Sequence, residues 1–152
     1  MDLALRDKLM KLASEFRKAA WTYSNEINTS NKIICGFPGG CCDSASRLLA
    51  AYLEDCGYKG AIYVAGIKFN EGKSKCHVWI GYKGWNIDIT ADQFDGVEEA
   101  VIVADASLRH LGFKKIRDGV EASFRVQYAR SVHDELQEYD SVYDEVRSLI
   151  LA

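Results

Sequence analysis

Apolar residues recur every three or four positions at both ends of the chain and gather into short β-rich runs in its middle. Between residues 3 and 23, Leu5, Leu9, Leu12, Phe16, Ala19, Ala20 and Tyr23 form one stripe, which predicts an amphipathic helix packed on a core. From Cys42 onward Ala45, Leu48, Leu49, Tyr52, Leu53 and Cys56 repeat that stripe, and Gly57 is placed to cap the helix. A third stripe, Leu136, Tyr139, Tyr143, Val146 and Ile150, predicts a closing helix over 134–151. In between, Ala61 to Ile67, Cys76 to Tyr82 and Trp85 to Ile89 are rich in β-branched and aromatic residues, with Gly72 and Gly84 at the turns, and predict antiparallel strands. Val101 to Val103 and Ser123 to Tyr128 are candidates for further strands, and the polar, then glycine-rich stretch from Asn25 to Gly40 predicts an irregular loop. Helices around a central antiparallel sheet make α+β, and not parallel α/β, the expected class.

With 152 residues and 48% hydrophobic content, the chain is the size of one domain spanning 1–152. Its only proline is Pro38, and no Gly/Ser tract, charge block or repeat marks a linker or an array. A net charge of -3 and a pI of about 5.6 argue against a general nucleic-acid binder, which needs a basic face. Asp2, Arg6, Asp7, Lys8 and Lys11 interrupt the N-terminal apolar residues, so neither a signal-peptide core nor a membrane span is expected. Five cysteines, an odd number, suit a reducing compartment better than a disulfide framework. The expectation is a cytoplasmic protein, with export as an effector lacking a cleavable signal also compatible.

The chemistry concentrates in Phe37-Pro38-Gly39-Gly40-Cys41-Cys42-Asp43-Ser44, where a glycine-rich turn feeds a helix start. A thiol there lies near the positive end of the helix dipole, which favours the thiolate. Downstream, His77 opens one strand of a hairpin and Asp88 lies on its partner strand, so the two can meet as cross-strand neighbours. A thiol nucleophile, an imidazole that moves its proton and a carboxylate that orients the imidazole are the parts of cysteine-dependent acyl transfer.

Three stretches resemble the transglutaminase-like branch of the papain-like cysteine enzymes. Gly40-Cys41-Cys42 with Ser46, Leu48, Leu49, Leu53 and Gly57 is similar to the family's cysteine helix and the glycine ending it. Tyr63 to Gly66 looks like the strand that follows, and His77-Val78-Trp79 with Trp85-Asn86-Ile87-Asp88-Ile89-Thr90 is similar to the family's His-x-Trp and Trp-x-x-Asp-x-Thr strands. The resemblance covers roughly Phe37 to Phe94 and also extends to uncharacterised bacterial proteins that share the Ile87 to Phe94 run. It implies a papain-like/transglutaminase-like fold and a triad of Cys42, His77 and Asp88, acting on amide bonds of a protein or peptide substrate without a cofactor or metal. The chain departs from the family in having no glutamine in the loop before Cys42; Asn31 or another backbone N–H is left as the oxyanion donor.

Cys42 is preferred to Cys41 as nucleophile, since helix neighbours point about 100° apart and only one can face His77. Cys35, Cys56 and Cys76 read as core or structural, His110 and His133 as surface or capping residues, and Trp79 and Trp85 as core in preference to walls of the site. Asp92 and Gln93 read as a turn or cap, or as supports for the neighbouring loop. A zinc set of Cys41, Cys42, Cys76 and His77 is set aside because adjacent cysteines do not form a knuckle. The resulting expectation is a peptidase, amidase or deamidase, with a toxin or effector as one setting. Transglutaminase-type amine transfer, a non-enzymatic protein-interaction module, and a redox-responsive Cys41–Cys42 pair stand as alternatives, and the oligomeric state stays open.

Overall fold

The computed structural model describes residues 1–131 and 134–151. Helix α1 (Leu3–Thr22) starts where Asp2 Oδ1 accepts from the Leu5 N–H at 2.9 Å and runs on into a π-helical turn, Tyr23–Ile27. Its stripe buries Leu9, Ala13, Phe16, Ala19 and Ala20, the face expected from the spacing. Helix α2 (Cys42–Asp55) ends in a Schellman motif, with Tyr58 N–H bonding Leu53 O at 2.8 Å and Gly57 N–H bonding Glu54 O at 3.1 Å. Strands β1 (Ile62–Asn70), β2 (Lys73–Tyr82) and β3 (Trp85–Asp88) are joined by two-residue turns, Glu71-Gly72 and Lys83-Gly84. All four turn residues have positive φ, as the tight turns that match strand twist require.

Strands β4 (Ile102–Asp105) and β5 (Lys114–Glu121) complete a five-stranded antiparallel sheet in the order β4-β3-β2-β1-β5. The α+β class is therefore as expected. One expectation fails near the C-terminus. Ser123 to Tyr128 is not a strand: Ser123 Oγ accepts from the Arg125 N–H at 3.3 Å and starts a short helix, α3 (Phe124–Gln127). The last strand instead lies just before it, in β5, which pairs through its backbone while every one of its residues is exposed. Helix α4 (Glu135–Leu151) then packs against α1, α2 and α3. Among the described residues no helix is long and apolar enough to cross a membrane.

The sheet separates two apolar clusters. Register aligns Tyr63, Ile80, Ile87 and Val103 on one face, where they meet α1, α2 and α4 around Leu9, Phe16, Leu48, Leu53 and Tyr143. On the opposite face Val64, Trp79 and Phe113 form a smaller cluster, flanked by Ile62, Phe94 and Leu111. Gly66 is what lets that cluster close: a Cβ there would stand 2.8 Å from both Phe113 Cβ and Trp79 Cη2. Gly66→Ala should consequently lose about 1–3 kcal/mol in urea unfolding through overpacking. Gly81→Ala, whose added carbon would meet Ile62 Cγ1 at 3.2 Å, should lose less; equal losses would contradict this packing.

Candidate active site

The two hairpins place the catalytic candidates by register. Because strand side chains alternate between faces, His77 and Trp79 share a face of β2, and Asn86 and Asp88 extend it on β3 through the Gly81–Asn86 pairing. His77 Nε2 lies 2.6 Å from Asp88 Oδ2, with His77 0% and Asp88 2% exposed. The same Oδ2 lies 2.7 Å from His110 Nε2, and Asp88 Oδ1 accepts from the Thr90 N–H at 2.9 Å. A buried carboxylate accepts hydrogen bonds, so both Nε2 atoms carry protons. In His77 this leaves Nδ1 as the nitrogen free to act, and Nδ1 makes no hydrogen bond of good geometry.

His110 is thus neither a surface nor a capping residue: it is 6% exposed and is the second imidazole on Asp88. Sequence spacing gave no sign of this, because its partner lies 22 residues away and reaches it only through the path across β4. His133 lies outside the described residues. Around His77 stand Phe94 (centroids 4.9 Å), Phe113 (5.5 Å) and Trp79 (5.7 Å), with the His110 ring stacked at 6.3 Å. Trp79 is held in that wall by its Nε1–H bond to Asn86 Oδ1 at 3.0 Å, whereas Trp85 belongs to the main core.

Electrostatics set opposing forces on the pair. Burial pushes the His77 imidazole towards neutrality, but the Asp88 carboxylate and the Cys42 sulfur outweigh it and raise its pKa from 6.5 to about 9. Burial also opposes ionisation of Asp88, and the donors His110, His77 and Thr90 outweigh that, holding its pKa at about 2.

Cys42 is the first residue of α2 and is half-buried, and Cys41 precedes it as the N-cap position without any side-chain cap bond. Gly40 has φ +70° in the turn that delivers them, a backbone state that favours glycine. The two thiols differ sharply. Cys41 is 6% exposed within the main core, and burial, with Cys42 and Cys35 adding to it, raises its pKa to about 12. Cys42 is the thiol that bears on His77.

Cys35, Cys56 and Cys76 are exposed, not core as expected: Cys56 follows the last turn of α2, and Cys76 lies on the part of β2 that projects past the core. Asn31 is spent inside its own loop, Nδ2 donating to Asn28 O at 2.9 Å and Oδ1 accepting from Ile34 N–H at 2.7 Å and Ile33 N–H at 3.1 Å. These bonds hold its side chain within that loop.

The segment after Asp88 is clamped from α1. Arg17 makes a bidentate pair with Asp92, 2.8 Å on each side, and also donates to Ile89 O at 2.6 Å. Asp92 is therefore an ion-pair partner as well as part of the turn Ala91–Gln93. Gln93 Oε1 accepts from the Gly40 N–H at 3.4 Å and braces the loop before the cysteines.

Among the described residues, the one group with metal-ligating donors close together is His77, Asp88 and His110, within 4.8 Å of one another. Both imidazole Nε2 atoms are engaged as donors to the same carboxylate oxygen at 2.6 and 2.7 Å, so the set is satisfied as a hydrogen-bonded triad. A cavity of about 570 Å³ between α1 and Ala100–Val101 is lined by Met10, Ser14, Arg17 and Trp21, and none of Cys42, His77 and Asp88 borders it. Comparison with protein-family models, curated proteins and solved structures finds no match for this chain.

Protonation of His77 favours the folded state, because its folded pKa lies above 6.5; that contribution is whole below pH 6.5 and is lost as pH rises through about 9. Ionisation of Asp88 favours it too, fully above pH 3.8, and is lost as pH falls through about 2. The stability gap between wild type and His77→Gln, read from urea midpoints, should be widest from about pH 4 to 6.5 and narrow on both sides. A gap independent of pH would contradict the pairing.

Proposed function

We propose that this chain is a cysteine-dependent acyl-transfer enzyme on a papain-like/transglutaminase-like fold, acting on an amide of a protein or peptide. The observation that carries the proposal is the use of the two His77 nitrogens: Nε2 is committed to Asp88, and Nδ1 is left for Cys42. Asp88 fixes the tautomer and the ring plane, as a base needs. Cys42 at the open N-terminus of α2 supplies the nucleophile, half-buried and therefore reachable.

In the forward step the Cys42 sulfur adds to the carbonyl carbon and the carbonyl electron pair moves to oxygen. That pair then returns, the C–N bond breaks and the His77 imidazolium gives its proton to the departing amine. A thioester remains on Cys42. Water attacks it with His77 as base, releasing the acid and restoring the thiolate–imidazolium pair. An amine in place of water would give transamidation; hydrolysis is preferred because water is always present. Modification of a host or competitor protein by a toxin or effector is one setting for such chemistry, and a cytoplasmic location is part of the same proposal.

The redox alternative is disfavoured by Cys41, whose buried, protonated thiol is a poor partner for a vicinal disulfide. The interaction-module alternative makes the opposite prediction for reactivity. Iodoacetamide should label Cys42 rapidly below neutral pH, as located by mass spectrometry, and His77→Ala should slow that labelling by at least tenfold. Slow labelling that rises only near pH 8.5 in both proteins, as in a free thiol, would leave a binding module instead.

A further inference from the structure

The register of β1 against β2 sets Lys68 directly opposite Lys75, and like charges in that relation destabilise a strand pair. Among the described residues neither lysine has an ion-pair partner. Each ammonium instead rests over an aromatic ring, Lys68 Nζ 5.5 Å from the Phe113 centroid and Lys75 Nζ 6.0 Å from that of Phe94. Lys68 Nζ also donates to Leu111 O at 3.1 Å, which occupies one of its three protons and leaves two.

Both lysines line one cavity of about 270 Å³, to which Phe94, Val97, Leu111 and Phe113 give an apolar lining. Asp95 is the one acid there, so two ammonium groups against one carboxylate leave a single positive charge to be met. The volume lies below the roughly 300–1,000 Å³ of sites for drug-sized ligands, which restricts the occupant to a small body. None of Cys42, His77 and Asp88 borders this cavity. The rings of Phe94 and Phe113 nonetheless stand 4.9 and 5.5 Å from the His77 imidazole, so cavity and imidazole share a wall.

We infer that this cavity binds a small carboxylate, its apolar body packed on Phe94, Val97, Leu111 and Phe113 and its charge accepting from the Nζ groups of Lys68 and Lys75. One negative charge balances the excess cation and relieves the repulsion across the β1–β2 pair. Inorganic phosphate has no apolar body to fill the lining. A free organic acid and the C-terminal residue of a peptide offer the same two features. Cys42 takes no part, and the site stands whether or not that thiol performs acyl transfer.

The test is isothermal titration calorimetry with 3-phenylpropionate and its neutral analogue 3-phenylpropanamide, on wild type and Lys75→Met. Lys75 is exposed, so replacing it spares the packing, and Lys68, which also holds Leu111, is kept. Wild type should bind the acid about tenfold tighter than the amide, as charge-assisted hydrogen bonds imply, and Lys75→Met should weaken the acid about fivefold while leaving the amide unchanged. Acid binding should also shift the methyl resonances of Val97 and Leu111. N-acetyl-Ala-Ala-Phe, which ends in the same phenylpropionate group, separates the two sources. Binding equal to that of the free acid supports the site with a chain end as its ligand; binding of the free acid alone supports it with a small organic acid. No saturable binding of the acid up to about 10 mM, equal affinity for acid and amide, unchanged affinity in Lys75→Met, or shifts confined to residues away from the cavity would overturn the inference.

Discussion

A carboxylate 2% exposed to solvent is expensive to keep ionised unless donors surround it, and Asp88 is surrounded. One oxygen takes the Nε2–H of His77 and of His110, and the other takes the Thr90 N–H. Breaking any of these would leave charge uncompensated in an aromatic enclosure, so the constraint reaches outward. It sets the register of β2 against β3, the turn that follows β3 and the path that carries His110 back onto the sheet. It also fixes which ring nitrogen is left over, because the imidazole that satisfies Asp88 through Nε2 keeps Nδ1 out of that bond.

The surroundings sharpen this arrangement. Phe94, Phe113 and Trp79 keep water from His77, which by itself favours the neutral ring, yet Asp88 and Cys42 prevail and keep the proton on. Low local dielectric strengthens the His77–Asp88 attraction in the same place where it penalises an unpaired charge. The smaller cluster on this face therefore has a second use beyond packing. Gly66 gives Trp79 and Phe113 room to close on the imidazole, and Asn86 fixes the indole that forms one wall.

The helices were legible because their stripes match what they bury, and the hairpins because Gly72 and Gly84 mark turns that need positive φ. Strand β5 was not, since a strand exposed on both faces leaves no alternation to read, and its pairing lies wholly in backbone bonds to β1. The β-branched and aromatic run after Ser123 looked strand-like, but a side-chain cap and the burial of Phe124 turned it into a helix. Cys42, His77 and Asp88 were legible as a spacing, and the structure brings His77 and Asp88 into contact. His110 and the Arg17–Asp92 clamp were not legible, because each joins partners that only the tertiary fold makes neighbours, 22 and 75 residues apart. Gln93 left a faint signal in its closeness to Asp88, and its contact with Gly40 could not be read from the chain.

The most direct test is the protonation state of His77 itself, read from long-range ¹H–¹⁵N correlation spectra of the imidazole nitrogens, with His77→Gln for assignment. Asp88 holding Nε2–H, with Cys42 beside Nδ1, predicts that both nitrogens carry protons at pH 7.5 and that Nδ1 releases its proton only as pH approaches about 9. In Cys42→Ala that release should move to lower pH. A neutral His77 at pH 7.5 with its proton on Nδ1 and a bare Nε2 would contradict the account, because Asp88 would not then be orienting the ring.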